Sequence, residues 1–416
     1  MSNAKPNGER EPLLDSSTSS RRSSHHQIPN NHNPPSPAPN PLSHGDPSLL
    51  ESFRNLFLGT YINILLVAVP LGFLSHFLHW GPTADFVINF LAIIPLAGLL
   101  SEATEQVALR LGETIGGLLN ATFGNAVEAI VGILALVKGE LRIVQTSLLG
   151  SILSNILLVL GCSFLASGLK FKESSFQTTA AQASSSLLIL STATLVIPAA
   201  YQSTVKATES ASTLASVSGH DGLLTISRGT SVILLVMYML YLFFQLKSHS
   251  YLFEAEEQAE EEEAKMNVKA AVAALLIVTV VTSFCADYLV GSIDQFANNF
   301  GVPKPFIGLI LLPIISNACE HVTSVVQAYK GRTDLTIGVC VGSSIQIAIG
   351  VIPLLVVIGW IIGQEMTLNF EQFETIFVFL SVLLVNLVLT DGKSNWYEGA
   401  MLVALYVIVA LAVYET

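Results

Sequence analysis

Two glutamates, Glu128 and Glu320, stand inside long apolar stretches of this chain. Each falls about 16 residues into its stretch, roughly 24 Å along a helix that rises 1.5 Å per residue. A carboxylate at bilayer depth costs about 2.5–3.5 kcal/mol on insertion scales, so such residues face a cavity or a partner and carry function. The two are not independent. GNAVEAIVGILALVKG, starting at Gly124, matches SNACEHVTSVVQAYKG, starting at Ser316, an offset of 192 residues. Asn125, Ala126, Glu128, Lys138 and Gly139 fall on Asn317, Ala318, Glu320, Lys330 and Gly331, and at the same offset Gly150 and Ser151 fall on Gly342 and Ser343. Five crossings separate the two copies, so they enter the membrane from opposite faces, the inverted repeat of many secondary transporters.

The neighbours supply oxygen and little else. Asn125 and Asn317 offer amides one turn before the glutamates, and Ser316, Ser151 and Ser343 offer hydroxyls, with Gln346 and Asn155 nearby. Gly124 and Pro313 weaken the two helices, which exposes backbone carbonyls as further donors. An all-oxygen set suits a hard cation such as Ca2+, which takes about six to eight oxygens at about 2.3–2.6 Å. The four cysteines, Cys162, Cys285, Cys319 and Cys340, are dispersed with no CxxC spacing, so neither disulfides nor a thiolate metal site is expected. Two carboxylates can hold one divalent cation or bind a proton each, because removal from water favours the neutral carboxyl. Competition for the same oxygens couples the two ions. Glu102 and Glu105 at the end of the second span, and His321 beside Glu320, are further candidates to carry protons. His321 reads equally well as a structural hydrogen bonder.

The elements that hold these residues are membrane helices. Half the chain is hydrophobic (51%) and only 12% is charged, against roughly a quarter charged in soluble domains. Eleven stretches reach the length of about 20 residues that a span requires, which predicts an all-α polytopic membrane protein. Residues 1–52, rich in Ser, Pro, Asn and His, read as a disordered tail. A first transmembrane helix is expected over 53–80, a five-helix repeat over 85–247, a cytosolic acidic helix or linker over 250–266, and a second, inverted repeat over 267–416. Of the nineteen Lys and Arg, only Lys138, Arg142, Lys206, Arg228 and Lys304 fall on the side opposite the N-terminus. The positive-inside rule therefore puts the N-terminus in the cytosol and the C-terminus on the far side. The net charge of -12 owes much to one run containing Glu254, Glu256, Glu257, Glu260, Glu261, Glu262 and Glu263. It reads either as a solvated linker or as a Ca2+-attracting element, since carboxylates at helical spacing repel one another until a divalent cation joins them. In the tail, Glu9, Leu13 and Leu14 make an acidic dileucine pattern that a sorting adaptor could recognise.

At the two glutamate motifs, GNAVE followed by GSILSN and SNACEH followed by GSSIQI, the sequence resembles the Ca2+/proton exchanger family of fungal and plant vacuoles, within the cation/Ca2+ exchanger superfamily. The resemblance covers residues 56–415. It implies eleven spans, a divalent-cation site on Glu128 and Glu320, no cofactor beyond the transported Ca2+ and H+, no nucleic-acid partner, and export of cytosolic Ca2+ into an acidic vacuolar lumen. It also implies that the acidic segment modulates transport together with a second-span glutamate, which falls on Glu105. One departure is the stretch Ala199 to Ser227, which reads as an unusually long loop. Oxygen sites serve Na+ or K+ as well as protons, so residue chemistry leaves a Na+- or K+-driven exchanger open; Glu320 beside His321 matches the proton-coupled family. An intramembrane metal-dependent hydrolase built on Glu320 and His321 would lack a second set of ligands and leave the repeat unexplained, so enzymatic activity is not expected.

Overall fold

The computed structural model describes residues 48–111, 113–209, 213–252 and 265–415. Seven helices among them are long and apolar enough to cross a membrane: α2 (Pro82–Leu111), α4 (Leu141–Gly168), α5 (Thr178–Thr204), α6 (Asp221–Ser248), α7 (Val268–Phe300), α9 (Thr333–Ile362) and α11 (Trp396–Tyr414). Three more elements qualify as bent pairs: α1a (Glu51–Leu58) with α1b (Tyr61–Phe77), α3a (Ile115–Phe123) with α3b (Ala126–Val137), and α8a (Lys304–Ser316) with α8b (Ala318–Tyr329). The shorter apolar helix α10 (Gln372–Val388) completes a set consistent with the eleven expected. Leu13, Leu14 and the acidic residues from Glu254 to Glu263 lie outside the described residues.

The bends have local causes. In α3 the axis turns by 46° and in α8 by 57°, and both turns fall on the motif asparagines. Asn125 (φ -108°, ψ 33°) and Asn317 (φ -90°, ψ 16°) leave the helical region and serve as the N-caps of α3b and α8b. Gly124 precedes the first break, and Pro313 contributes no N–H to α8a ahead of the second. The first element bends far more sharply, by 95°. Its α1a portion is anchored by Ser52 and Leu56, both buried, and exposes Phe57 and Leu58, as a helix lying in the membrane interface does.

The 192-residue offset recurs in backbone geometry. Six-residue π-helical segments interrupt α4 at Ser154–Val159 and α9 at Gln346–Val351, positions that correspond residue for residue. Gly139 and Gly331 both follow their half-helices with positive φ, 77° and 85°. The two halves interlock through α2 and α7, which pack along each other with Phe86 stacked on Phe296 at 3.9 Å. The long loop expected between Ala199 and Ser227 is corrected: Thr178–Glu209 and Thr213–Phe243 are continuous helices. The sequence from 199 to 209, just after Pro198, holds no strong helix breaker, and its polar character signals emergence from the apolar layer, not loss of helix.

Candidate ion-binding site

Breaking α3 and α8 at their asparagines places each glutamate in the first turn of a half-helix. There the partial positive charge of the helix N-terminus favours a carboxylate. Glu128 is buried, 5% exposed, and shares the lining of a small space with the Ser316 hydroxyl. Glu320 is half-buried and close enough to Glu128 for the two carboxyls to repel each other. Each keeps one buried oxygen without a hydrogen-bond partner, Oε1 of Glu128 and Oε2 of Glu320. Uncompensated buried oxygens are expensive, and a cation or a proton removes that cost.

The asparagines tie the halves together crosswise. Asn125, in the first repeat, donates from Nδ2 to Gln346 Oε1 at 2.6 Å and accepts at Oδ1 from the Ser343 hydroxyl at 2.7 Å, both in the second. Asn317, in the second repeat, donates to the Ser151 carbonyl of the first at 3.1 Å. Ser343 also accepts from Asn155 at 2.9 Å. No group of three or more His, Cys, Asp or Glu capable of holding a metal occurs among the described residues, so a cation here would be held by two carboxylates plus neutral oxygens.

Two spaces flank the glutamates. One, with about 370 Å³ open to water, is lined by Glu320, Gly124, Asn125, Ser343, Gln346 and Glu105, and reaches Gln245 and Leu246 at the end of α6. The other has about 10 Å³, room for roughly one water, and is lined by Glu128, Ser151 and Ser316. They are repeat images. Adding 192 to Val127, Glu128, Val131, Ser147 and Ser151 gives Cys319, Glu320, Thr323, Val339 and Ser343, and subtracting it from Leu312 and Ser316 gives Asn120 and Gly124. The same structural site is thus open in one copy and closed in the other. Gly150 shows how the closed copy is sealed, since a Cβ there would meet the Leu309 carbonyl at 2.2 Å. At Gly342, its image, a Cβ would meet nothing within 4 Å.

The remaining candidates are distributed unevenly. Glu105 lines both the large cavity and an adjoining one of about 290 Å³, and Glu102 lines only the latter, accepting from Gln106 at 3.2 Å. Gln106 in turn holds the backbone N–H groups of Lys265 and Met266 at 2.8 and 3.1 Å. The point where the chain leaves the acidic segment is thereby fixed beside Glu102 and Glu105. His321 lines none of these cavities. Cys319 forms wall shared by the two larger cavities, a position that its apolar context in the sequence did not reveal. The 192-residue offset could have found it, since it pairs Cys319 with Val127.

Broken apolar helices, duplicated at a fixed offset around a carboxylate pair with an open cavity on one side, define a secondary transporter. The chain matches the sodium/calcium exchanger protein family over residues 82–247 and 270–415, and it belongs to that family. It is 48% identical, over 86% of each chain, to a vacuolar calcium ion transporter of Schizosaccharomyces pombe. It is 40% identical to a Ca2+/H+ antiporter of Aphanothece halophytica, covering 84% of this chain and 94% of the relative. Among solved structures it resembles the Ca2+/H+ antiporter protein YfkE, with a TM-score of 0.72 and 34% identity over 85% of this chain and 99% of that one.

Proposed function

We propose that this chain is an antiporter that exchanges cytosolic Ca2+ for lumenal protons by alternating access and so loads Ca2+ into the vacuole. One observation carries the reading: Glu128 and Glu320 end in unpartnered oxygens between two repeat-related spaces, one open and one closed. In this reading the pair binds one Ca2+, with the oxygens of Asn125, Asn317, Ser151, Ser316 and Ser343, the amide of Gln346 and the backbone at Gly124 completing the site. Alternatively each carboxyl takes a proton. Either loading neutralises the pair. On crossing between the two arrangements an empty pair would carry two negative charges away from water, the costliest state, so only loaded forms interconvert and the fluxes are coupled at a minimum of two protons per Ca2+.

The open cavity reaches Gln245 and Leu246, next in sequence to Lys247, on the side that the positive-inside rule assigns to the cytosol. In this assignment the first and second five-helix repeats lie inverted in the membrane and the C-terminus is lumenal. Glu105 and Glu102 stand along the approach, and the segment from Glu254 to Glu263 serves as a regulatory acidic element. A sorting adaptor at Leu13 and Leu14 would serve vacuolar delivery.

The experiment is Ca2+ uptake by vesicles carrying the purified protein, with pH gradient, membrane potential and Na+ gradient varied independently. Uptake should require an acid interior and vanish in Glu128→Gln and Glu320→Gln. Uptake that survives collapse of the pH gradient and follows a Na+ gradient refutes proton coupling.

A further inference from the structure

A hydrogen-bond relay leads to the cavity wall from a residue outside it. Asn155, on the π-helical segment of α4, is fully buried and lines neither of the two repeat-related spaces. Its Nδ2 donates to Ser343 Oγ at 2.9 Å. Ser343 Oγ donates to Asn125 Oδ1 at 2.7 Å, and Asn125 Nδ2 donates to Gln346 Oε1 at 2.6 Å. All three bonds run the same way.

That direction has a consequence at the far end. A hydroxyl has one proton, so with an amide donating into its oxygen, Ser343 directs that proton to Asn125. Asn125 must then show its NH2 to Gln346, and Gln346, which lines the cavity, must turn its carbonyl to Asn125. The Gln346 NH2 is left with no hydrogen-bond partner among the described residues. Such a donor suits an ionised carboxylate and repels a cation. The opposite polarity keeps three bonds: Ser343 donates to Asn155 Oδ1, Asn125 to Ser343, and Gln346 to Asn125. It presents Gln346 Oε1 to the cavity, an oxygen fit for Ca2+.

The buried end sets the balance. Asn155 Oδ1 has no partner, and reversal would leave the two donors of an NH2 there unpaired in its place. We propose that Asn155 is a positioning residue that biases the relay toward the polarity seen here, and that reversal of the relay exchanges a carboxylate-facing donor for a cation-facing acceptor at Gln346. This rests on the Ca2+/proton exchange reading and adds a residue that does not touch the ion.

The test is a double-mutant cycle on the full-length protein in vesicles, reading the apparent KM for Ca2+ and the maximal rate separately. Asn155→Leu should lower KM by about two- to tenfold, the range that one net hydrogen bond represents, because Gln346 is released to turn its oxygen outward. In a Gln346→Leu background the same substitution should leave KM unchanged. An unchanged or raised KM in the first background, or an equal fold-change in both, overturns the relay, since a merely structural role at Asn155 acts alike in both. Asn155→Ala is read in the same way if the leucine variant does not fold. Wild-type vesicles are measured first: absence of uptake driven by the pH gradient sinks the exchange reading, whereas uptake with an additive cycle sinks only the relay.

Discussion

Gly150 and Gly342 are the same residue of the repeat in opposite circumstances, so one substitution placed at each should push the protein in opposite directions. In Gly150→Ala the new Cβ would lie 2.2 Å from the Leu309 carbonyl oxygen and 2.6 Å from Pro313 Cγ. Side-chain carbons do not approach backbone within 3.0 Å, so α8a must retreat from α4 by about 0.8 Å or more. Overpacking of this kind costs about 1–3 kcal/mol. If the cost falls on the cavity-open arrangement alone, it lowers that population by about five- to 150-fold relative to the alternative. Gly342→Ala meets nothing within 4 Å and costs this arrangement nothing, but it penalises the state in which α3a closes on α9. Cys319 reports the outcome, because it lines the large cavity while Cys285 and Cys340 are buried. In a Cys162→Ser background, a membrane-impermeant maleimide applied from the cavity side should label Cys319 more slowly in Gly150→Ala and as fast or faster in Gly342→Ala. Equal labelling of a stably folded Gly150→Ala, or shifts of the same sign in both variants, would refute the idea that the two spaces exchange roles.

Away from the cavity, Arg142 is paired in bidentate fashion with Glu374, which is 3% exposed. Arg142→Ala should therefore cost about 3–5 kcal/mol, because it strands a buried carboxylate; thermal melting in detergent should show the loss, and adding Glu374→Gln should recover part of it. His321→Gln should leave the dependence of uptake on lumenal pH within about twofold of wild type, as expected of a residue outside the cavities; a displaced pH profile would restore His321 as a proton carrier. Replacing the glutamates from Glu256 to Glu263 with glutamine should alter the dependence of uptake on cytosolic Ca2+ in a folded transporter. Unaltered kinetics would make that segment a linker.

The chemistry of the site was legible in the sequence because it rests on residue types and cost. A glutamate in an apolar span must be compensated, and duplication at 192 residues made Glu128 and Glu320 a pair before any coordinates. The weak points of the helices were legible too, at Gly124, Asn125, Pro313 and Asn317, since they follow from backbone preferences. Helix beyond the apolar layer at 199–227 was not, because hydropathy measures burial in lipid and not helicity.

What only the tertiary structure decided is how the repeat is unequal. The sequence puts Gly150 over Gly342 and Ser316 over Gly124 as images; packing seals α4 against α8a at one and leaves a cavity at the other. Which carboxylate lies beside a serine in a closed space, which faces open space, and which group the Gln346 amide oxygen meets all follow from contacts between helices far apart in the chain. Local sequence fixes the donors and the breaks. Which copy is closed and which is open in this arrangement is settled by packing at the contact between the two halves.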